Sequence, residues 1–453
     1  MLKDKEECFL QYFKLPSWIK YRRETDTSIS ILNVKTNKMF IIKDPLGISL
    51  DVLSLLSKDK FTLKEVYSEL NVFDQTKRAY IKMLYYEVFE TITEKNNEST
   101  KRFYSENNLN HSPYLSSPIS LELLITYKCN AKCSHCLVGD LRYSKEADMP
   151  LDLIKKIARD TKKYNLYSMA ISGGEPFARK DFFEIMDVIR NENKDIQIEL
   201  VTNGIELTEN KVKRLNKYNI SRYIISLEGA KESTHDRIRG KGSFNKVIKG
   251  IKNLKKYSEA NGVEVKITCG KHNINELEKL AEFCTDLGVN SLEIGRLNPW
   301  GWGKFLSKYI LTDDNLVELD RKIKKLNARY ENLSIHGYAV SGPLRNGCNI
   351  GGAFAVQPNG IVLPCRIFEQ RVTEDIILGD LSKQDILEIW EAKRFKQARD
   401  LVANIGEYFN ECKACSYFNI CSYPHCIARA YIIADKKDLI NATETWQCPG
   451  EPS

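Results

Sequence analysis

Between residues 118 and 305 short strand-like runs alternate with helical patterns. The runs are 119–126, 167–171, 196–201, 223–227, 263–269 and 291–295. Between them, apolar residues recur at helical spacing near 151–164, 181–191, 208–218, 244–258 and 275–287. Strands joined through helices pair in parallel, so the repeat predicts a helix-covered parallel sheet, and six units are enough for a partial (β/α)6 barrel. On such a sheet the chemistry gathers in the loops after the C-terminal strand ends. Those loops hold the chain's most informative residues.

The first run leads into Thr126-Tyr-Lys-Cys129-Asn-Ala-Lys-Cys133-Ser-His-Cys136. An iron–sulfur cubane normally takes four Cys ligands. Three thiolates with no nearby fourth would leave one iron open to a small molecule; a zinc site or chance clustering is the plainer alternative. The second run ends in Ser172-Gly173-Gly174-Glu175-Pro176. Two glycines let backbone approach a ligand closely, and Glu175 offers a carboxylate to an ammonium group. Alternatively the stretch is a strand–turn–helix with a capping residue. Thr202-Asn203-Gly204 follows the third run as a turn able to present backbone groups.

Ser226 and Glu228, after the fourth run, are spaced i, i+2 and share one face, a hydroxyl and a carboxylate suited to ribose hydroxyls. In His235-Asp-Arg-Ile-Arg-Gly240, His235 reads as a structural hydrogen-bonding group ahead of a general base. Asn273 reads as a helix cap ahead of Glu276. Cys269 and Cys284 stand alone and read as buried small apolar residues.

The C-x3-C-x2-C run with the Gly-Gly-Glu-Pro stretch behind it resembles the signature of the radical SAM superfamily. The resemblance implies that Cys129, Cys133 and Cys136 hold a [4Fe–4S] cluster whose open iron is chelated by S-adenosylmethionine (SAM). It implies that Gly173, Gly174, Glu175 and Pro176 meet the methionine amino group. Asn203, Ser226, Glu228 and Arg296 are further candidate SAM contacts; many relatives have Asp where this chain has Glu228. In the family an electron reaches the cluster from a donor such as flavodoxin or ferredoxin. SAM then breaks into methionine and a 5′-deoxyadenosyl radical, which takes hydrogen from a substrate carbon.

Seven of the 13 cysteines lie between Cys348 and Cys448. Cys348 and Cys365 flank Gly360, and Cys412-x2-Cys415-x5-Cys421-x4-Cys426 precedes Cys448. Residues 355–365 read as a hairpin with a Pro-Asn-Gly turn. The array resembles the cysteine-rich SPASM domain, here 348–453, which holds auxiliary iron–sulfur clusters, expected as two [4Fe–4S]. By family pattern Cys412, Cys415, Cys421 and Cys448 fill one cluster. Cys348, Cys365 and Cys426 go to the other, leaving an iron for His425, water or a substrate thiolate. Structural zinc is the alternative for the array.

Residues 1–94 carry three strand patterns, within 17–42, then three helical ones. This order resembles the PqqD-like leader-recognition domain, a winged-helix-like α+β element that binds a leader peptide as an added strand, here on an edge within 28–42. An unrelated structural or dimerisation domain is the alternative. Residues 95–117 have linker composition, 118–310 form the radical SAM core, and 311–347 a connecting helix region.

The 453 residues are 42% hydrophobic with a net charge of +8, and no Lys/Arg run is dense enough to track nucleic-acid phosphates. No apolar stretch reaches membrane-spanning length, and the first residues lack a signal peptide's apolar core. A cytoplasmic chain without nucleic-acid or membrane partners is therefore expected, with cysteines serving as metal ligands. The three-part architecture is similar to enzymes that mature ribosomally made precursor peptides, especially those forming Cys sulfur-to-carbon thioether crosslinks of the sactipeptide and ranthipeptide types. Carbon–carbon or carbon–oxygen crosslinking, epimerisation, formylglycine formation, and a non-catalytic iron–sulfur or zinc protein are the alternatives.

Overall fold

In the computed structural model the chain divides into two compact units, residues 1–117 and 118–453. The structure describes residues 19–84 apart from short breaks, 115–144, 148–337 except 261, 349–403 except 371 and 373, and 428. Cys348, Cys412, Cys415, Cys421, His425, Cys426, Cys448 and most of the expected linker lie outside the described residues.

The first unit begins with β1 (Ile19–Thr25), β2 (Ser28–Asn33) and β3 (Lys38–Lys43). They form an antiparallel meander with β2 in the centre. Helices α1 (Ser49–Lys58) and α2 (Leu63–Glu69) follow, and the described residues of 75–84 are helical. Ile29 and Ile31, two apart on β2, point to one face and pack with Val52, Leu53, Leu56, Leu63 and Val66. At the end of the segment expected as a linker the chain packs on the first unit. Leu115 and Ser117 are buried, and Glu24 accepts hydrogen bonds from Ser116 N (2.8 Å), Ser116 Oγ (3.0 Å) and Ser30 Oγ (2.5 Å).

The second unit is built on β4 (Ser120–Thr126), β5 (Ser168–Gly173), β6 (Gln197–Thr202), β7 (Ile220–Ser226), β8 (Gly262–Cys269) and β9 (Ser291–Arg296). Each pairs in parallel with the next, giving the expected partial barrel. Helices α3 (Leu151–Lys163), α4 (Phe182–Glu192), α5 (Glu209–Leu215), α6 (Glu232–Arg239), α7 (Ser243–Tyr257) and α8 (Leu277–Asp286) fill the connections. Their apolar stripes close on the sheet: α7 buries Val247, Gly250, Ile251 and Leu254 at i, i+3, i+4 and i+7.

Two additions extend this sheet. After α9 (Asp313–Arg329), β10 (Ser334–Gly337) pairs in parallel with β9. At the other side β11 (Ala353–Val356) pairs in parallel with β4, then turns through the expected hairpin into β12 (Ile361–Leu363) and on to β13 (Gly379–Asp380). The first part of the cysteine-rich domain is therefore sheet-continuous with the barrel. Helices α10 (Ile386–Glu391) and α11 (Lys393–Ala403) pack behind it through Trp390 and Phe395.

No helix among the described residues is long and apolar enough to cross a membrane.

Candidate active site

Cys129, Cys133 and Cys136 sit on the loop that leaves β4, Cys133 buried and the other two half-buried. The loop is tied down from several sides. Arg142 donates to the Cys129 carbonyl (3.2 Å) and to that of Ala131, with its guanidinium over the Trp302 ring. Ser134 N bonds the Ile238 carbonyl at the end of α6 (2.9 Å), and Trp302 N bonds the Cys136 carbonyl (3.0 Å). Gly301 takes φ +55°, and a Cβ there would strike the Cys136 and Leu137 carbonyls. The segment around Trp302 can therefore wrap the cysteine loop only with glycine at 301.

Burial pushes the Cys129 thiol up to about 11 and raises that of Cys133, so thiolates there need positive charge nearby. The protein supplies part of it. Ala131 N lies 3.4 Å from Cys129 Sγ, Asn203 Nδ2 3.9 Å from the same sulfur, and Arg239 Nη1 3.8 Å from Cys133 Sγ. Three sulfurs on one braced loop, with donors aimed at two of them, fit an iron–sulfur cluster, whose ferric and ferrous ions would supply the missing charge.

The Gly-Gly-Glu-Pro turn lies against this loop. Gly174 N donates to the Thr126 carbonyl (2.7 Å) and Glu175 N to that of Lys128 (2.9 Å). A Cβ on Gly174 would collide with the Tyr127 and Lys128 carbonyls, and Gly173 takes φ +138°. The close approach expected of the glycines is thus made to the cysteine loop's own backbone. Pro176 is buried at the start of the turn Pro176–Ala178.

Glu175 is fully buried. Its Oε1 accepts from Thr202 Oγ1 (2.7 Å) and Phe177 N (3.2 Å), and its Oε2 from Asn203 N (2.7 Å). Burial outweighs these donors and pushes its carboxyl up to about 6. A buried carboxylate with three neutral donors and no cation paired to it among the described residues is suited to the ammonium group of an amino-acid ligand. Asn203 links the two loops, donating to Asn130 Oδ1 at 2.7 Å.

Glu228 is held by this chain's own groups. Its Oε1 meets His135 Nε2 (2.9 Å) and accepts from Arg239 Nε (2.8 Å) and Nη2 (2.6 Å), while Oε2 accepts from Thr268 N (2.9 Å). Burial would raise its carboxyl, but His135 and Arg239 together hold it far below the usual carboxylate range. The side chain therefore braces the cysteine loop, α6 and β8 against one another. Ser226 is half-buried at the end of β7, and Arg296 is the last residue of β9.

His235 is buried, and its Nδ1 accepts from Glu228 N at 3.2 Å. Desolvation, with Arg239 nearby, pushes it down to about 4, so it is neutral near pH 7. Asn273 does not cap with its side chain; it bonds Gly270 N, the Glu228 carbonyl and the Thr268 carbonyl (2.9, 3.1 and 3.1 Å). Cys269 and Cys284 are fully buried, as expected.

The sequence reading passed over His135, Arg142, Arg239 and Arg366. The first three brace the cysteine loop. Arg366, beside Cys365, reaches Ser172 Oγ (2.8 Å), Glu122 Oε1 (3.1 Å) and the Gly173 carbonyl (2.7 Å). Farther along the sheet Glu264, Glu293 and His336 bring ligand atoms within 4.8 Å of one another. Arg222 and Lys266 already pair with those carboxylates at 3.4 and 2.6 Å, so the group reads as a charge ladder across neighbouring strands.

A model of the radical SAM superfamily matches residues 123–284, and one of the SPASM iron–sulfur cluster-binding domain matches residues 348–416. The chain is 27% identical over 334 residues to an AdoMet-dependent heme synthase of Methanosarcina barkeri, covering 68% of this chain and 90% of that protein. It is 31% identical over 189 residues to the mycofactocin maturase MftC of Mycobacterium tuberculosis, covering 42% of this chain and 47% of that one. The chain thus spans about half the length of the mycofactocin maturases it matches. Streptococcus suis SuiB, solved with its precursor peptide SuiA, has the same fold at a TM-score of 0.66 and 16% identity, covering 95% of this chain and 98% of that one. Its barrel thus carries a radical SAM match over residues 123–284, and residues 348–416 carry a SPASM iron–sulfur match.

Proposed function

We propose that the protein matures a ribosomally made precursor peptide by forming thioether crosslinks from Cys sulfur to carbon. The observation that carries the precursor-peptide part of this reading is that the likeness to SuiB runs the length of the chain, N-terminal unit included, and that SuiB was solved holding a precursor peptide. The N-terminal meander has the means to take a leader. Among the described strands β1 and β3 each pair on one side only, while β2 is enclosed. An extended leader would add as a fourth strand on β3, the outer strand within the expected 28–42. A PqqD-like role for this unit is part of the proposal.

Cys129, Cys133 and Cys136 would hold the [4Fe–4S] cluster, and Gly173–Pro176 with Asn203 would cradle SAM; together these cofactors supply hydrogen abstraction from carbon. Glu175 would face the SAM ammonium. Glu228 would act one step removed, by fixing Arg239 beside the Cys133 sulfur. Cys348, Cys365 and Cys426 would hold an auxiliary cluster able to take up an electron released by crosslinking, with Cys412, Cys415, Cys421 and Cys448 on the second. Flavodoxin or ferredoxin is the proposed donor.

The test is anaerobic reconstitution with dithionite, SAM and a Cys-containing precursor peptide. The expected products are 5′-deoxyadenosine and a peptide lighter by two hydrogen atoms per crosslink. At saturating SAM, Cys365→Ala should still release 5′-deoxyadenosine yet leave the peptide uncrosslinked; normal crosslinking by this variant would sink the electron-acceptor role. Similarity to the heme synthase over 90% of that protein favours a second reading, a small-molecule substrate. An intact peptide beside turnover of a tetrapyrrole would decide for it.

A further inference from the structure

Cys365 is the one cysteine of the C-terminal array among the described residues. The side chain of Arg366, directly after it, crosses from the SPASM domain to the barrel. Nη1 donates to Ser172 Oγ at 2.8 Å and Glu122 Oε1 at 3.1 Å, and Nη2 donates to the Gly173 carbonyl at 2.7 Å. These acceptors sit on β4 and β5, the strands that run into the cysteine loop and the Gly-Gly-Glu-Pro turn.

The peptide unit between Gly173 and Gly174 is consequently held at both ends. Its carbonyl accepts from Arg366, and its N–H donates to the Thr126 carbonyl at 2.7 Å. Gly173 has φ +138°, a backbone conformation that residues with side chains rarely adopt, and lies close against the Thr126 backbone. Glu175 follows directly, so a rotation of this peptide plane would move the carboxylate.

We propose that Arg366 is a positioning residue for SAM, transmitting the seating of Cys365 to the Gly-Gly-Glu turn. The SPASM domain then sets SAM affinity in addition to any redox part it plays. The inference rests on SAM binding at Gly173–Pro176 and is independent of which substrate the enzyme modifies. The guanidinium matters as a fork: a lysine can supply the charge but cannot reach three diverging acceptors in one plane.

The experiment uses full-length, anaerobically reconstituted enzyme without peptide, so failure of the peptide reading leaves it intact. SAM dissociation constants, normalised to iron content, are measured by equilibrium dialysis for the parent, Arg366→Lys, Arg366→Met, Cys365→Ala and the Cys365→Ala/Arg366→Met double variant. The electron paramagnetic resonance spectrum of the reduced cluster is recorded with and without SAM. Loss of the clamp should weaken SAM binding about tenfold in both Arg366 variants and blunt the SAM-induced spectral change. Cys365→Ala should weaken SAM binding as well, and the double variant should be no worse than Arg366→Met alone, as expected for groups acting through one path. Parent-like SAM affinity in Arg366→Lys and Arg366→Met overturns the proposal, as does a double variant whose losses multiply. Arg366→Lys keeps the test open should Arg366→Met fail to fold.

Discussion

Glu228 bears its charge where water does not reach, and the pairing around it explains how. His135 and both faces of the Arg239 fork outweigh the desolvation, so the carboxyl titrates below its ordinary value near 4.5. A carboxyl depressed on folding adds stability that is present above the unfolded value and is lost as pH falls toward the folded one. Glu228→Gln should therefore cost about 3–5 kcal/mol in denaturant unfolding at neutral pH, because Arg239 is left buried without its partner. The loss should shrink as the pH is brought below about 4, and iron loading should fall with it.

Glu369 shows the opposite sign. Its side chain is fully buried, and Arg366 Nε is 3.7 Å away. Burial pushes its carboxyl up to about 8. A raised carboxyl costs the fold progressively more as pH climbs from about 4.5 through about 8, since the charged form is the penalised one. Glu369→Gln should thus gain thermal stability over the parent at pH 8.5 and show little difference at pH 5. None of this was legible in the sequence. A glutamate's partners depend on which strands become neighbours, and Glu228, His135 and Arg239 are brought together from three separate segments. Local chemistry was legible: the cysteines and the Gly-Gly-Glu-Pro turn announce themselves because their spacing is itself the function.

At the scale of elements, β4 through β9 could be read to within a few residues, because runs such as Ile196–Val201 are β-branched and bounded by turn residues. Helix α6 escaped notice: Glu232–Arg239 is polar apart from Ile238, and its helix is held by Thr234, His235 and the Arg239 pairing in place of an apolar stripe. Strand β10 has only four residues, too short for a period to show. The contact between the Gly-Gly-Glu-Pro turn and the cysteine loop makes a sharp prediction. Gly174→Ala places a methyl against two carbonyls of the cysteine-bearing segment. Cluster incorporation, followed by iron and sulfide content, should drop severalfold, whereas Gly262→Ala, whose added methyl meets only the Arg222 side chain at 3.7 Å, should load normally.

At the scale of the whole molecule, the division into two units carries the leader hypothesis. Removing residues 1–117 should leave peptide-independent SAM cleavage in place while raising the peptide KM on the order of a hundredfold, the usual worth of a tethered second site. An unchanged peptide KM would remove the leader role. The order of strands in the large sheet is the part no sequence pattern could supply, since β11 joins β4 across more than two hundred residues of chain.

That union of β11 with β4 has a mechanical consequence. Cys129 leaves one end of β4, and Cys365 leaves the hairpin that begins with β11, so both thiols hang from a single hydrogen-bonded plate whose neighbouring strands are about 4.8 Å apart. A swinging arm between them would have to tear the ladder. Any irons that Cys129 and Cys365 help to hold would therefore be tied to one sheet, with no hinge between the two anchoring strands.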